Sequence, residues 1–300
     1  METTLHRQHE NGEMNGVVWA FDGIEMGHSR SVFQALTSFA GKSEKDVVRL
    51  HFGLKGDYRF DYAQLHTSYD LVGSHHNLMY TKDFDITVHN KTLEVETFGV
   101  QYPREQFIRY TEHASDTLKR FAEQVADGKN VMLSEHWGSI SPNIQQVIDQ
   151  VLHCRYGGDL KRMFMLAKSI ELLVLCADAY DAAAQRGEPF LKSKADKEKI
   201  IAVRDLINEK VTDPPSLSQI ARSVGLNEYK LKRGFRETFQ TTVFGYLAEQ
   251  RLHLAHRYLL DTQKTAAEIS FELGYATPQH FNNMFRKRFG QTPAAVRNNP

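Results

Sequence analysis

The stretch GYATPQHFNNMFRKRFGQTP, Gly274 to Pro293, lays two residue patterns on one helical period. Phe281, Phe285 and Phe289 recur every four residues on one side, while Gln279, Asn282, Asn283 and Arg286 point elsewhere. One side packs and the other reaches outward. Lys287 and Arg288 taken alone read as a solvated helix face.

The same apolar skeleton stands upstream. SLSQIARSVGLNEYKLKRGFRETF, Ser216 to Phe239, aligns with TAAEISFELGYATPQHFNNMFRKRF, Thr265 to Phe289. Ile220 matches Ile269, Gly225 matches Gly274, and Leu226 matches Tyr275. With one extra residue in the second turn, Leu231, Phe235 and Phe239 then match Phe281, Phe285 and Phe289. Each copy reads as a short helix, a glycine turn and a longer helix, which is the helix-turn-helix pattern. TTVFGYLAEQRLHLAHRYLL between them predicts a helix that holds the copies in fixed relation.

The outward faces carry Tyr229, Lys232, Arg233 and Arg236 in one copy and Gln279, Asn282, Asn283 and Arg286 in the other. Asn and Gln pair with adenine edges, Arg and Lys with guanine edges, and cations with phosphate oxygens. The charge is divided to match. The formal total is zero, yet Asp196 to Pro300 holds 16 Lys+Arg against 11 Asp+Glu, leaving 21 against 26 before it. A basic third is joined to an acidic two-thirds, and its +5 supports salt-sensitive binding of a polyanion.

On these residues the C-terminal segment resembles the AraC/XylS family of bacterial transcription regulators. GYATPQHFNNMFRKRFGQTPAAVR looks like that family's signature, including the closing Gly-x-Thr-Pro and Arg297, and the likeness covers Asp196 to Arg297. It implies promoter DNA and RNA polymerase as partners, with two recognition helices in successive major-groove segments ~34 Å apart. Carried over position by position, base reading falls on Tyr229, Lys232 and Arg233, and on Gln279, Asn282 and Asn283; phosphate contacts fall on Arg236 and Arg286. Two positions depart from an ideal reader. Gly234 costs its helix up to about 1 kcal/mol relative to alanine, which predicts a looser first reader. Pro278 removes an N–H that could meet a phosphate, though it suits a first helical turn.

Residues 1–190 are expected to form a ligand-sensing and dimerisation domain, and 196–300 the DNA-binding domain, with the boundary in the polar stretch GEPFLKSKADKEK, Gly187 to Lys199. The first twenty or so residues read as a frayed arm. Val47 to Tyr62, around Lys55-Gly56-Asp57, and Asp83 to Val100, around His89-Asn90-Lys91, read as two hairpins of a small antiparallel β-barrel or sandwich. Helices follow from Pro103, with a capped start at Ser141-Pro142 and a long helix opened by Asp159 and closed around Gly187 and Pro189. Met163, Leu166, Ile170, Leu173, Ala177 and Tyr180 on it have seam spacing, which serves either the core alone or the core plus a homodimer through the Asp159–Ala184 helix. The fold class is α+β, with an all-α C-terminal domain carrying two helix-turn-helix motifs.

NIQQVIDQVLHCRYGGDLKRMFMLAKSIELLVL and LVGSHHNLMY resemble the N-terminal region of the PchR-like branch, which implies a small-molecule effector such as a ferric siderophore. From the residues themselves, Trp137, Arg49, Lys55 and Arg59 hint at a pocket for an anionic, aromatic or chelated ligand; the plainer alternative is a core aromatic and a solvated strand face. His75 and His76 are adjacent, so on a strand they face opposite ways and read as surface or strand-edge residues, not a metal pair. Two cysteines, Cys154 and Cys176, read as reduced, half-buried thiols on helices. No cofactor, metal or catalytic set is expected. With no signal-like N-terminus and no membrane-length apolar run, the expected place is the cytoplasm. The rivals are a DNA-targeted enzyme with a metal-binding barrel and a regulator controlled by a protein partner.

Overall fold

The computed structural model describes residues 2–9, 11–72, 74–185, 190–191, 193–239 and 241–298. The chain divides into two compact units, Met1–Glu188 and Pro189–Pro300.

The first unit is built on two antiparallel sheets. Its strands are β1 (Glu2–His9), β2 (Gly12–Phe21), β3 (Ile24–Phe33), β4 (Ser38–Ser43), β5 (Val47–Lys55), β6 (Asp57–Tyr62), β7 (Thr67–Val72), β8 (His75–Tyr80), β9 (Phe84–Asn90), β10 (Glu94–Pro103), β11 (Val131–Met132) and β12 (Gly138–Ser139). The large sheet runs β1-β2-β3-β10-β5-β8-β11, with β12 also on β8, and the small one runs β4-β9-β6-β7. Four helices complete the unit, two before β11 and two after β12: α1 (Arg104–Thr111), α2 (Asp116–Ala126), α3 (Pro142–Leu152) and α4 (Gly158–Gln185).

Strand alternation assigns each face of the large sheet a different partner. Leu50, Phe52, Leu78, Tyr80, Phe98, Val100 and Tyr102 join Phe107 of α1, Phe121 of α2, Ile148 of α3 and Leu172 of α4 in one core. Met79 and Val95 on the other face pack with Tyr58, Phe60, Tyr62, Ile86 and Val88 of the small sheet. The arrangement is therefore a sandwich with helices outside its larger sheet.

Several expectations are corrected here. The N-terminal arm is a strand: β1 pairs with β2 from Glu2↔Trp19 to His9↔Gly12, and Glu2 forms an ion pair with Lys161 of α4. Its polar composition is that of an exposed edge strand held by backbone bonds. Neither expected hairpin pairs with itself. At Gly56 (φ +83°) the chain leaves the large sheet for the small one, because β5 pairs with β10 and β8 while β6 pairs with β7 and β9. After β9 it crosses back, since β9 pairs with β4 and β6, and β10 with β3 and β5. A tight hairpin forms at β2–β3, turning at Asp22-Gly23 with φ of 48° and 79°, the doubly left-handed turn that Asp-Gly favours.

His75 and His76 are buried, not at a surface or edge, because β8 is covered on both faces. Ser141 caps α3 by accepting from the Ile144 N–H, with Pro142 in the first turn. Cys176 is buried on α4, whereas Cys154 lies past the end of α3; both are free thiols. On α4 the expected seam splits. Leu173 and Tyr180 are buried with Met165, Leu172 and Cys176, while Met163 and Ile170 are exposed. Gly187 and Pro189, the expected close of that helix, lie outside the described residues.

The second unit is all-α: α5 (Lys194–Glu209), α6 (Leu217–Ser223), α7 (Glu228–Phe239), α8 (Val243–Asp261), α9 (Ala266–Glu272), α10 (Pro278–Phe289) and α11 (Pro293–Asn298). It contains two cores. Ile200, Val203, Ile220, Leu231, Phe235 and Phe239 form the first, and Ile269, Leu273, Phe281, Phe285 and Val296 the second. The connecting α8 supplies Val243 and Leu247 to one and Leu252, Ala255 and Leu259 to the other, so it holds the two copies together as the repeat predicts. No helix among the described residues is long and apolar enough to cross a membrane.

Candidate nucleic-acid interface and internal cavity

Each helix-turn-helix copy is built by the same devices. α6 and α9 both open with a capping box, Ser216 with Gln219 and Thr265 with Glu268, in which side chain and backbone satisfy each other's first-turn groups. The S-x-x-Q and T-x-x-E spacing was readable in the repeat. Gly225 (φ +64°) and Gly274 (φ +76°) make the two turns in the left-handed region. The Asn227 carboxamide then accepts from the Lys230 N–H at the start of α7, and Thr277 accepts from the His280 N–H at the start of α10.

With Leu231 and Phe235 buried, α7 turns Tyr229, Lys232, Arg233 and Arg236 outward. Tyr229 is 63% exposed and its hydroxyl accepts from Arg233 at 2.9 Å. The Arg233 guanidinium also lies 4.2 Å from the centre of the Phe190 ring, which presets its direction. Lys232 rests 3.3 Å from Glu228, an exposed pair that exchanges easily for another anion.

On α10, Phe281 and Phe285 are buried while Gln279, Asn282, Asn283 and Arg286 are exposed. Among the described residues none of these four makes a side-chain hydrogen bond. All eight predicted contact residues thus lie on exposed faces of the second helix of each copy.

Two sequence readings change. Gly234 does more than loosen α7, because it is buried and a Cβ there would lie 2.9 Å from Leu191 and 3.1 Å from Ile200. It lets α7 approach α5 closely. Arg288 is not part of a solvated run: its side chain is 13% exposed and pairs with Glu249 of α8. Burial opposes ionisation of Glu249, but hydrogen bonds with His253 and Arg288 hold its carboxyl below the usual value.

Between its two sheets the first unit holds a half-open cavity of about 330 Å³. Its wall is mainly apolar and aromatic, with Phe33, Phe39, Phe60, Tyr62 and Phe84. Of the four residues that hinted at a pocket, only Arg49 lines it. Lys55 pairs with Glu94 at 2.5 Å, Arg59 with Asp61 at 2.7 Å, and Trp137 packs against His51, Phe60 and His75. The aromatic wall went unread because its members come from strands far apart in sequence.

Two histidines adjoin the cavity through one phenol. The Tyr58 hydroxyl lies 2.7 Å from His51 Nε2 and 3.0 Å from His75 Nε2, so with a single proton it donates to one ring and accepts from the other. Burial, reinforced by His75, pulls His51 down to about 3, and burial with His75 pulls His76 down to about 4 against the Ser139 backbone, which favours the protonated ring. No group of three or more His, Cys, Asp or Glu able to hold a metal exists among the described residues.

Residues 16–191 match the family model described as the regulatory protein PchR N-terminal domain, and residues 220–299 match a helix-turn-helix domain. The regulatory protein PchR of Pseudomonas aeruginosa is 36% identical over 120 residues, which are 40% of this chain and 40% of that protein. The regulatory protein SoxS of Escherichia coli (strain K12) is 32% identical over 98 residues, 32% of this chain and 92% of its own. An AraC-type transcriptional regulator from Chromobacterium violaceum, a solved structure, is 27% identical with a TM-score of 0.33, covering 35% of this chain and 95% of that one. With a PchR-type N-terminal region joined to a helix-turn-helix region, the chain belongs to the AraC family of DNA-binding transcription regulators, in its PchR-like branch.

Proposed function

We propose that this regulator reads promoter DNA with α7 and α10 and that a small molecule in the first unit controls the reading. Tyr229, Lys232, Arg233, Gln279, Asn282 and Asn283 contact base edges, and Arg236 and Arg286 contact phosphates. The observation that carries this is the repeat itself: two separately cored copies present exposed cations and amides from equivalent helices. Residues 196–300 act as the DNA-binding domain and residues 1–190 as the sensing and dimerising one, in the cytoplasm, with RNA polymerase as the downstream partner.

The largely apolar cavity between the two sheets supports the sensing role. Likeness to the PchR N-terminal domain favours an effector such as a ferric siderophore. An effector must bind one arrangement of the protein better than another, since equal affinity for both shifts nothing. A homodimer through the Asp159–Ala184 helix is supported by Leu160, Met163, Ala167, Ile170 and Val174. These stay exposed at spacings of 3, 4, 3 and 4, and Met163 and Val174 are 66% and 59% exposed.

The test is operator selection from a random DNA pool with the full-length chain, followed by binding titrations with and without a panel of ferric and iron-free chelators. Enrichment of one motif, with affinity moved by a chelator, is expected. Recovery of no motif removes the DNA assignment, and affinity unmoved across the panel removes the siderophore.

A further inference from the structure

Arg49 and Gln101 are direct cross-strand partners on β5 and β10, and both line the cavity. Arg49 is only 7% exposed. Its guanidinium lies 4.2 Å from the centre of the Phe84 ring and donates to the backbone carbonyls of Val47 and Lys45, at 3.2 and 3.4 Å. Among the described residues no carboxylate forms an ion pair with it; Asp46, whose field favours its charge, is engaged with Tyr80 and Arg104. Burial pulls the guanidinium below its usual value, with Tyr62, Asp46 and Tyr80 opposing, yet an arginine in a protein keeps its charge. Beside it, the Gln101 carboxamide oxygen is buried with no hydrogen-bond partner.

A buried cation with no directly paired carboxylate and a buried acceptor without a donor are both costly unless something completes them. The other cation in the wall, Lys42, is exposed and occupied with Asp85 at 2.9 Å. We infer that the cavity holds a compact aryl carboxylic acid with a hydroxyl next to its carboxylate. The carboxylate accepts from Arg49, the hydroxyl donates to Gln101, and the ring lies against Phe33, Phe60, Tyr62 and Phe84. Planar carboxylates match the guanidinium fork, which sets orientation as well as affinity. A volume of about 330 Å³ admits one or two fused rings.

This rests on the sensing role proposed above and narrows its ligand, so the experiment separates the two. Calorimetric titration of the full-length chain uses 3-hydroxy-2-naphthoate, its methyl ester, 2-naphthoate and a ferric tris-catecholate chelate as probes. Saturable one-to-one binding of the hydroxy acid is expected, with the ester weaker by at least about tenfold. Arg49→Met should lose a similar factor for the acid and bind the ester no worse, which also reports that the cavity has folded. Gln101→Leu should abolish the preference for the hydroxy acid over 2-naphthoate. Equal affinity for acid and ester, or undiminished acid binding by Arg49→Met, overturns the carboxylate site. Binding of the ferric chelate alone overturns it while leaving the sensing role standing, and no binding by any probe overturns it and, with operator affinity unmoved, removes the siderophore as well.

Discussion

Gly234 lies against Leu191 with no space for a methyl group: a Cβ on the glycine would stand 2.9 Å from Leu191 Cδ2 and 3.1 Å from Ile200 Cδ1. Both neighbours are buried in the first helix-turn-helix core. Alanine returns about 1 kcal/mol of helix propensity, but overpacking a filled core costs roughly 1–3 kcal/mol. Gly234→Ala is therefore expected to destabilise the second unit by about 1 kcal/mol. Chemical denaturation of the full chain checks this, and a stabilised variant would show that α7 has room to retreat from α5.

Asn282→Ala and Lys232→Ala should relax base preference at individual operator positions, each by about 1–3 kcal/mol of discrimination. Arg286→Ala should weaken binding to all sequences alike and reduce the salt slope by about 1. Titrations on the selected operator and on scrambled DNA at several salt concentrations distinguish these. Unchanged binding in all three variants removes the groove assignment.

Arg288 and Lys287 adjoin in sequence but not in role. Arg288 joins α10 to Glu249 of α8, whereas Lys287 is exposed. Arg288→Ala leaves a partly buried carboxylate with only His253 beside it and should cost about 1–3 kcal/mol of stability. Lys287→Ala should leave the melting midpoint unchanged and act, if at all, on DNA affinity. Paired melting and binding measurements on the two variants decide it.

Two buried histidines make the first unit sensitive to acid. The folded-state values of His51 and His76, about 3 and about 4, lie below the unfolded value of about 6.5, so between these limits the unfolded chain binds more protons. Stability then rises with pH in that window and is lost as pH falls from about 6.5 toward 4. His76→Leu should flatten the dependence of the melting midpoint on pH below 6.5. A slope equal to that of the parent protein would assign the acid sensitivity to other groups.

Ile170→Glu and Val174→Glu place charge in the exposed stripe of α4 without touching its buried face. If that stripe joins two copies, each variant should sediment as a monomer at concentrations where the parent is a dimer, with an unchanged melting curve at high dilution. A parent that is monomeric throughout excludes the seam.

The helix-turn-helix repeat was legible because its determinants are local. A glycine at a left-handed turn, a capping side chain and a phenylalanine every fourth residue act within a few positions of one another, so two copies could be matched from sequence alone. The outward amides and cations follow from the same period once the buried side is known. The β region was legible only as strands. Alternation marks β5, β6, β9 and β10, but it does not say which strand an edge will meet, and both expected hairpins separated into different sheets. That choice depends on which faces can be buried together, a property of the assembled unit. It decided that His75 and His76 are interior and that Arg49 meets Gln101 across two strands more than fifty residues apart, at the wall of a cavity no linear pattern describes; in the second unit the packing of α7 on α5 likewise decided that Gly234 is a contact and not a weakness.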